Sequence, residues 1–238
     1  MRLDKLISNC GFGSRKEVKI IMKKGLVTVD GVVCKRPETH VNPECQRVCI
    51  GDTLIEYEKF SYLMLNKPAG VISATFDEEH ETVVELLEER YLYAQVFPVG
   101  RLDKDTTGLL ILSNDGGFAH RACSPKKRIA KVYEATLDKN VSEVEIKAFA
   151  DGVTFTDDDY KTMPATLEPM GENAARITVF EGKFHQIKRM FEAVGFKVLT
   201  LKRVSFAGIK LDESLAEGEY RRLNDAEMDI ISNLISKD

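Results

Sequence analysis

The sequence predicts an α+β protein in two parts. A small N-terminal helix–helix–hairpin unit spans 1–58, and a larger unit over 59–238 carries a mixed, largely antiparallel sheet flanked by helices. Three observations carry this expectation. The N-terminal stretch passes from helical spacing to a two-residue hairpin and then into a Pro/Gly-containing linker. Beyond the linker, strand-rich stretches joined by short turns are interleaved with helical ones. The composition, 43% hydrophobic and 30% charged over 238 residues, suits a packed core, without internal repeats or low-complexity segments.

Each element follows from local chemistry. Over residues 2–9, Leu3, Leu6 and Ile7 share one helical face, and Gly11-Phe12-Gly13 ends the run. Ser14 is an N-cap with Glu17 three residues on, a capping box. The helix it opens turns Val18, Ile21 and Met22 inward and Arg15, Lys16, Lys19, Lys23 and Lys24 outward, and Gly25 stops it. Val27-Thr28-Val29 and Val32-Val33 flank Asp30-Gly31, a two-residue hairpin signal. A linker with Pro37, Pro43 and Gly51 leads through a short strand near 53–57, and the larger unit opens near Phe60. Tyr62-Leu63-Met64-Leu65 reads as a buried strand ended by Asn66-Lys67-Pro68-Ala69-Gly70. Val83, Leu86 and Leu87 give helical spacing over 82–91. Further strands are expected at 109–112, 129–137, 165–169, 174–180 and 198–206, and helices near 118–123, 142–150, 185–194 and 225–236.

The net charge of −4 conceals an asymmetry. Residues 1–36 hold nine Lys/Arg against three Asp/Glu, a local +6 that leaves −10 on the remainder. That is the footprint of a nucleic-acid-binding module on a more acidic body. Within the body, 121–131 holds five basic and no acidic residues, among them Lys126, Lys127 and Arg128, and 181–210 holds seven basic and two acidic. The acidic stretches 77–89 and 157–159 are expected to face away from RNA. Five cysteines without a secretory leader, and no apolar run long enough to cross a bilayer, point to a cytoplasmic protein with reduced thiols. His40, Cys45 and Cys49 match no standard zinc spacing, so no metal site is expected.

Asp103 sits in Gly100-Arg101-Leu102-Asp103-Lys104-Asp105-Thr106-Thr107-Gly108, between a Pro/Gly turn and the apolar run Leu109-Leu110-Ile111-Leu112. A carboxylate in a loop between core elements is poorly placed for packing and well placed for chemistry. Two distant segments accompany it: Lys131-Val132-Tyr133-Glu134, and Glu181-Gly182-Lys183-Phe184-His185-Gln186-Ile187-Lys188-Arg189-Met190. Together with Leu65-Asn66-Lys67-Pro68 and Met163-Pro164-Ala165, these resemble the signature of the pseudouridine synthases, in particular the branch that modifies small-subunit ribosomal RNA. Residues 1–45, with Arg2-Leu3-Asp4-Lys5 and Ser14-Arg15, resemble the S4 RNA-binding domain.

The resemblance implies conversion of a uridine in 16S rRNA to pseudouridine, without cofactor or metal. Asp103 would be the essential aspartate, acting as nucleophile at the sugar or by taking a sugar proton. Tyr133 would stack on the uracil and help remove the C5 proton, and Lys188 would be the cationic partner of Asp103. Arg101, Thr107, Lys131, His185, Gln186 and Leu201 would contact the substrate, with Arg101 helping to extrude the nucleotide. Arg2, Lys5, Ser14, Arg15, Lys16, Lys19 and Lys23, with Lys126, Lys127 and Arg128, would bind RNA. The partner is then 16S rRNA or an assembling small subunit, and a monomer suffices.

Other readings compete. Asp103-Lys104-Asp105-Thr106-Thr107 fits the D-x-D-x-T pattern of aspartyl-phosphate phosphatases, but Pro98, Gly100 and Arg101 interrupt the strand that chemistry expects before its first aspartate. A 23S rRNA target within the same family, or a non-catalytic rRNA-binding assembly factor, are the remaining alternatives.

Overall fold

The computed structural model describes residues 1–236, so the last two residues of the expected 59–238 unit lie outside the described residues. The chain divides into two compact units, residues 1–61 with 84–97, and residues 62–83 with those from 98 onward.

In the first unit α1 (Leu3–Asn9) packs on α2 (Arg15–Lys23). Leu3, Leu6, Ile7, Val18 and Met22 are buried with Val27, Val41, Val48 and Ile55. The capping box forms: the Ser14 amide donates to Glu17 Oε2 at 2.7 Å, and the Glu17 amide donates to Ser14 Oγ. β1 (Val27–Val29) turns into β2 (Val32–Val33) through Asp30 and Gly31 at φ 51° and 80°, the positive angles that this hairpin turn requires. β3 (Val48–Ile50) and β4 (Thr53–Leu54) complete an antiparallel sheet in the order β2-β1-β3-β4. The α3 helix (Glu89–Tyr93) packs near α1.

The helix expected over 82–91 shrinks to α3. The β-branched run Thr82-Val83-Val84 resists helix, and its start is used otherwise: Thr82 bridges Ile72, and the Val83 amide donates to Ile72 O at 3.0 Å.

The second unit is built on a mixed, largely antiparallel sheet. Its strands are β5 (Tyr62–Lys67), β7 (Thr107–Ser113), β8 (Lys131–Leu137), β9 (Thr166–Pro169), β10 (Ala174–Val179), β11 (Val198–Phe206), β12 (Ile209–Lys210) and β13 (Tyr220–Arg222); the two-residue β6 (Phe97–Pro98) falls at the chain boundary between the units. The order is β13-β5-β7-β11-β8-β10-β9, with β12 on β11. The β7–β11 pair is parallel, whereas β13–β5, β5–β7, β11–β8, β8–β10 and β10–β9 are antiparallel.

The helices are α4 (Gly116–Cys123), α5 (Glu143–Asp151), α6 (Gln186–Ala193) and α7 (Asp225–Ser236). Asp115 caps α4 by accepting from the Gly117 and Phe118 amides, and a second capping box, Ser142 with Glu145, opens α5. One core joins Met64, Leu109, Ile111 and Phe206 of the sheet to Phe118 and Ala122 of α4 and Ile231 of α7. Leu110 and Leu112, on the other face of β7, are equally buried, which is why this strand reads as an unbroken apolar run. Gly108 is required where β7 meets β11: its φ is +96°, and a Cβ there would lie 2.3 Å from Arg203 O.

Four strands escape the sequence: β3 lies inside the Pro/Gly-containing segment that reads as a linker, β6 and β12 have two residues each, and β13 has only three, two of them arginine.

Candidate active site

The loop after β6 carries Asp103 and is held from two sides. On one, β5 delivers Lys67, fully buried, whose Nζ donates to the carbonyls of Pro68 (2.9 Å), Lys104 (3.2 Å) and Thr106 (3.0 Å). Three carbonyls take the three ammonium hydrogens. Burial pushes this ammonium down to about 8, opposed by the nearby carboxylates of Asp105 and Asp103. On the other side the Ser73 hydroxyl accepts from the Leu102 amide and donates to Leu102 O, both at 3.0 Å. The Thr106 amide donates to Asp103 O at 3.1 Å and tightens the turn. Asp103 thus presents a side chain 26% exposed on a fixed backbone.

The α6 helix supplies the cation. Lys188 Nζ lies 3.2 Å from Asp103 Oδ2 and 2.5 Å from Asp105 Oδ1, and its hydrogen bond holds the Asp105 carboxyl below the usual range. His185, the N-cap of α6, takes φ 48°, a left-handed conformation uncommon outside glycine. There its ring stacks on Phe184 with centroids 3.8 Å apart, and its Nε2 sits 3.7 Å from Asp103 Oδ1.

A buried hub shapes the loop before α6. Glu181 accepts from the Tyr160 hydroxyl (2.7 Å), the Met163 amide (2.9 Å) and Gln186 Nε2 (3.1 Å), while Gln186 Oε1 accepts from the Lys183 amide at 2.9 Å. Its hydrogen bond to Glu181 pushes the Tyr160 phenol up to about 12.

Of these groups, Ser73, Asp103, Thr106, Glu181, His185 and Gln186 border a cavity of about 640 Å³. Lys131 and Tyr133 of β8, Val179 of β10, and Leu201, Arg203 and Phe206 of β11 line it. Strand register places Tyr133 beside Arg203 on one flank and Ile177 on the other. Arg101 and Lys104 also border the cavity, from the Asp103 loop. An aromatic ring with apolar neighbours offers a surface for a planar base, and a carboxylate with a bonded cation offers a group to act on the attached sugar.

Most residues expected from the sequence therefore converge. Asp103, Tyr133, Arg101, Lys131, His185, Gln186 and Leu201 line the cavity, and Lys188 is bonded to Asp103. Thr107 does not line it: it begins β7, beside Lys202, and its buried neighbour Thr106 takes the place. The acidic stretch 77–89 does not wholly face away, since Asp77 borders the cavity, its carboxylate taken by the Glu79 and His80 amides. Asp157 and Asp158 are paired with Arg189 of α6. Lys67, Ser73, Glu181 and Arg203 are the site residues that the sequence did not single out.

In the first unit Lys5, Lys16, Lys19 and Lys23 are exposed. Arg2 and Arg15 both bond the buried Asp4 carboxylate while staying partly exposed, and the Ser14 hydroxyl is used in its capping box. Lys126 and Lys127, in a short 3-10 turn, and Arg128 after it are exposed. Among the described residues no helix is long and apolar enough to cross a membrane, and all five cysteines are free of disulfides.

Comparison with known proteins matches residues 61–193 to the RNA pseudouridylate synthase family and residues 1–46 to the S4 domain. An RNA pseudouridine synthase of Bacillus subtilis, YtzG, is 46% identical over 236 residues, covering 98% of each chain. The ribosomal small subunit pseudouridine synthase A of Salmonella typhimurium is 40% identical over 228 residues, covering 96% of this chain and 98% of its own. A crystal structure of a pseudouridylate synthase superposes with a TM-score of 0.69 at 34% identity, covering 97% of this chain and 99% of the other.

Proposed function

The chain belongs to the RNA pseudouridylate synthase family and carries an S4 domain, and from that premise we propose that it isomerises one uridine of 16S ribosomal RNA to pseudouridine. The observation that carries this reading is the Asp103 carboxylate, fixed by the Lys67 and Ser73 bonds to its loop, bonded to Lys188, and bordering the same cavity as Tyr133. The relatives named for small-subunit RNA support the choice of RNA.

Asp103 acts at the sugar, by attack on C1′ or by removal of a sugar proton. By either route the bond from C1′ to N1 of the base breaks and leaves its electron pair on uracil. The detached base turns and C5 bonds to C1′ as Asp103 leaves C1′ or returns the sugar proton, and the C5 proton then leaves with help from Tyr133 while N1 takes up a proton. The reaction is an isomerisation, redox-neutral and without a co-reactant, and none of these steps calls on a cofactor or metal. Lys188 stabilises the Asp103 carboxylate, Tyr133 and Leu201 hold the base, and Arg101 at the cavity edge holds the extruded nucleotide.

Residues 1–58 dock RNA through Lys5, Lys16, Lys19 and Lys23, and 59–238 perform the chemistry, with Lys126, Lys127 and Arg128 following the RNA backbone. The protein works as a monomer in the cytoplasm on rRNA or an assembling subunit.

The test is tritium release from 5-tritiated uridine in small-subunit and, separately, large-subunit rRNA, with chelator present. Metal-independent release from small-subunit RNA is expected. Release from large-subunit RNA alone would keep the chemistry and overturn the target, and no release from either would leave a non-catalytic RNA-binding role.

A further inference from the structure

Arg203 lines the cavity but is 2% exposed, and its guanidinium is only partly satisfied. Nε donates to Leu109 O at 2.7 Å, whereas Nη2 is buried without a hydrogen-bond partner. Lys131 lines the same cavity, its Nζ donating to Ile129 O at 3.1 Å. The two cations share one aromatic neighbour: the Phe206 ring centroid lies 4.9 Å from the Arg203 guanidinium carbon and 5.8 Å from Lys131 Nζ.

Among the described residues neither cation is paired with a carboxylate. Of the titratable groups acting on Lys131, Glu181 is already engaged by three donors. Cys123 is a thiol that burial pushes upward, so it is neutral near pH 7. Burial and the Arg203 charge together depress Lys131. Two like charges held together in a desolvated wall, with a buried N–H left unbonded, are unfavourable in the empty protein. A negative charge arriving in the cavity relieves the repulsion between the two cations.

We propose that Lys131 and Arg203 form a cationic seat that stabilises the uracil anion released when the glycosidic bond breaks. The inference rests on the isomerase reading above and adds to it a role for the wall of the cavity. Uracil enters neutral. When the bond from C1′ to N1 breaks, both electrons stay on uracil and spread over N1, O2 and O4. When C5 bonds to C1′ the base is neutral again, and loss of the C5 proton is matched by gain of a proton at N1. The seat therefore acts most strongly on the charge that exists between the two bond changes, the condition for accelerating the reaction rather than merely tightening binding. It serves whether Asp103 attacks C1′ or takes a sugar proton, because both routes release the same anion.

The test compares leaving groups. Small-subunit RNA is transcribed with uridine or with 5-fluorouridine, whose base leaves as a more stable anion and needs less help. Because the fluorinated base has no C5 proton to lose, the event followed on both RNAs is single-turnover breakage of the bond from C1′ to N1, for the native protein, Lys131→Met and Lys131→Arg, with RNA affinity and melting measured alongside. Lys131→Met should slow the uridine RNA about 100-fold and the fluorinated RNA less than about 10-fold, with affinity unchanged within about 3-fold. Lys131→Arg should recover most of the rate. Should Lys131→Met melt early, Lys131→Gln carries the same comparison. Equal losses on both RNAs, a loss confined to affinity, or an arginine variant no better than methionine would overturn the seat. In those cases the native protein still converts the RNA and the isomerase reading stands. A native protein that converts neither RNA would overturn that reading, and the seat with it.

Discussion

Replacing Lys67 by methionine separates the stability of the fold from the geometry of its site. The buried ammonium is held at about 8 instead of 10.5, a shift equivalent to about 3 kcal/mol against its charged form. Lys67→Met removes that penalty. It also leaves the Pro68 and Thr106 carbonyls without this donor, while Lys104 O keeps the Gly70 amide at 2.8 Å. A buried acceptor losing a partner costs about 1–3 kcal/mol, and the half-buried Pro68 carbonyl no more than that. The net loss of stability should thus be no more than about 3 kcal/mol. Turnover should fall about 100-fold or more, because the loop carrying Asp103 is free to shift by about an ångström.

The pH dependence carries a second signature. As pH rises through 8, the folded chain loses the Lys67 proton before the unfolded chain does, so this group makes the fold more stable between about 8 and 10.5. A neutral amine cannot serve three carbonyls, so the rate should fall over the same range. The assays are single-turnover rate against pH and urea unfolding at pH 7 and 9, for native and Lys67→Met protein. A methionine variant that keeps the native rate, or that retains an alkaline limb near pH 8, would refute the clamp.

Lys188→Met should cost about 100-fold or more in turnover and Lys188→Arg less than about 10-fold, since a cation beside Asp103 and Asp105 is what the geometry requires; equal losses, measured by tritium release, would count against the ion pair. Glu181→Gln should let Tyr160 titrate nearer to about 10 than to the 12 reached beside the carboxylate, read by ultraviolet absorbance against pH. An unmoved titration would mean that the hydrogen bond is not the cause. Changing Lys16, Lys19 and Lys23 together to glutamine should lower the slope of log affinity against log salt by about 2, at about 0.7 per phosphate contact on single strands. An unchanged slope would remove these lysines from the RNA interface.

What the sequence made legible is mostly local. Ser14 with Glu17 announces a helix start within four residues of chain, and Asp30-Gly31 specifies its turn. The 198–206 strand is legible because nine residues of largely β-branched and apolar character lie between Gly195 and the turn at Ala207-Gly208. Spacing misled at 82–91, where Val83, Leu86 and Leu87 fit a helix but the Ile72 segment takes up the Val83 amide.

At the site, Asp103, Tyr133 and Lys188 were legible through resemblance, three motifs in order. The residues that hold them were not. Lys67 meets Lys104 and Thr106 at separations of 37 and 39 residues, and Ser73 meets Leu102 at 29. Arg203 meets Leu109 at 94, and on sequence alone it reads as one more surface charge in a basic stretch. Such partners are set by sheet order, above all by the parallel β7–β11 pair, and no local pattern encodes that pairing.

Asp103→Asn is the decisive variant, because the substitution keeps the size of the side chain and removes the charge proposed to act on the sugar. Tritium release and RNA affinity should be measured on the same preparation, with melting as a control for folding. Release should disappear while affinity stays within about 3-fold of native, since in the proposed account RNA docks through phosphate contacts away from this carboxylate. Release that persists in the asparagine protein would contradict the role given to Asp103, and a collapse of affinity with the release would make it a binding residue instead.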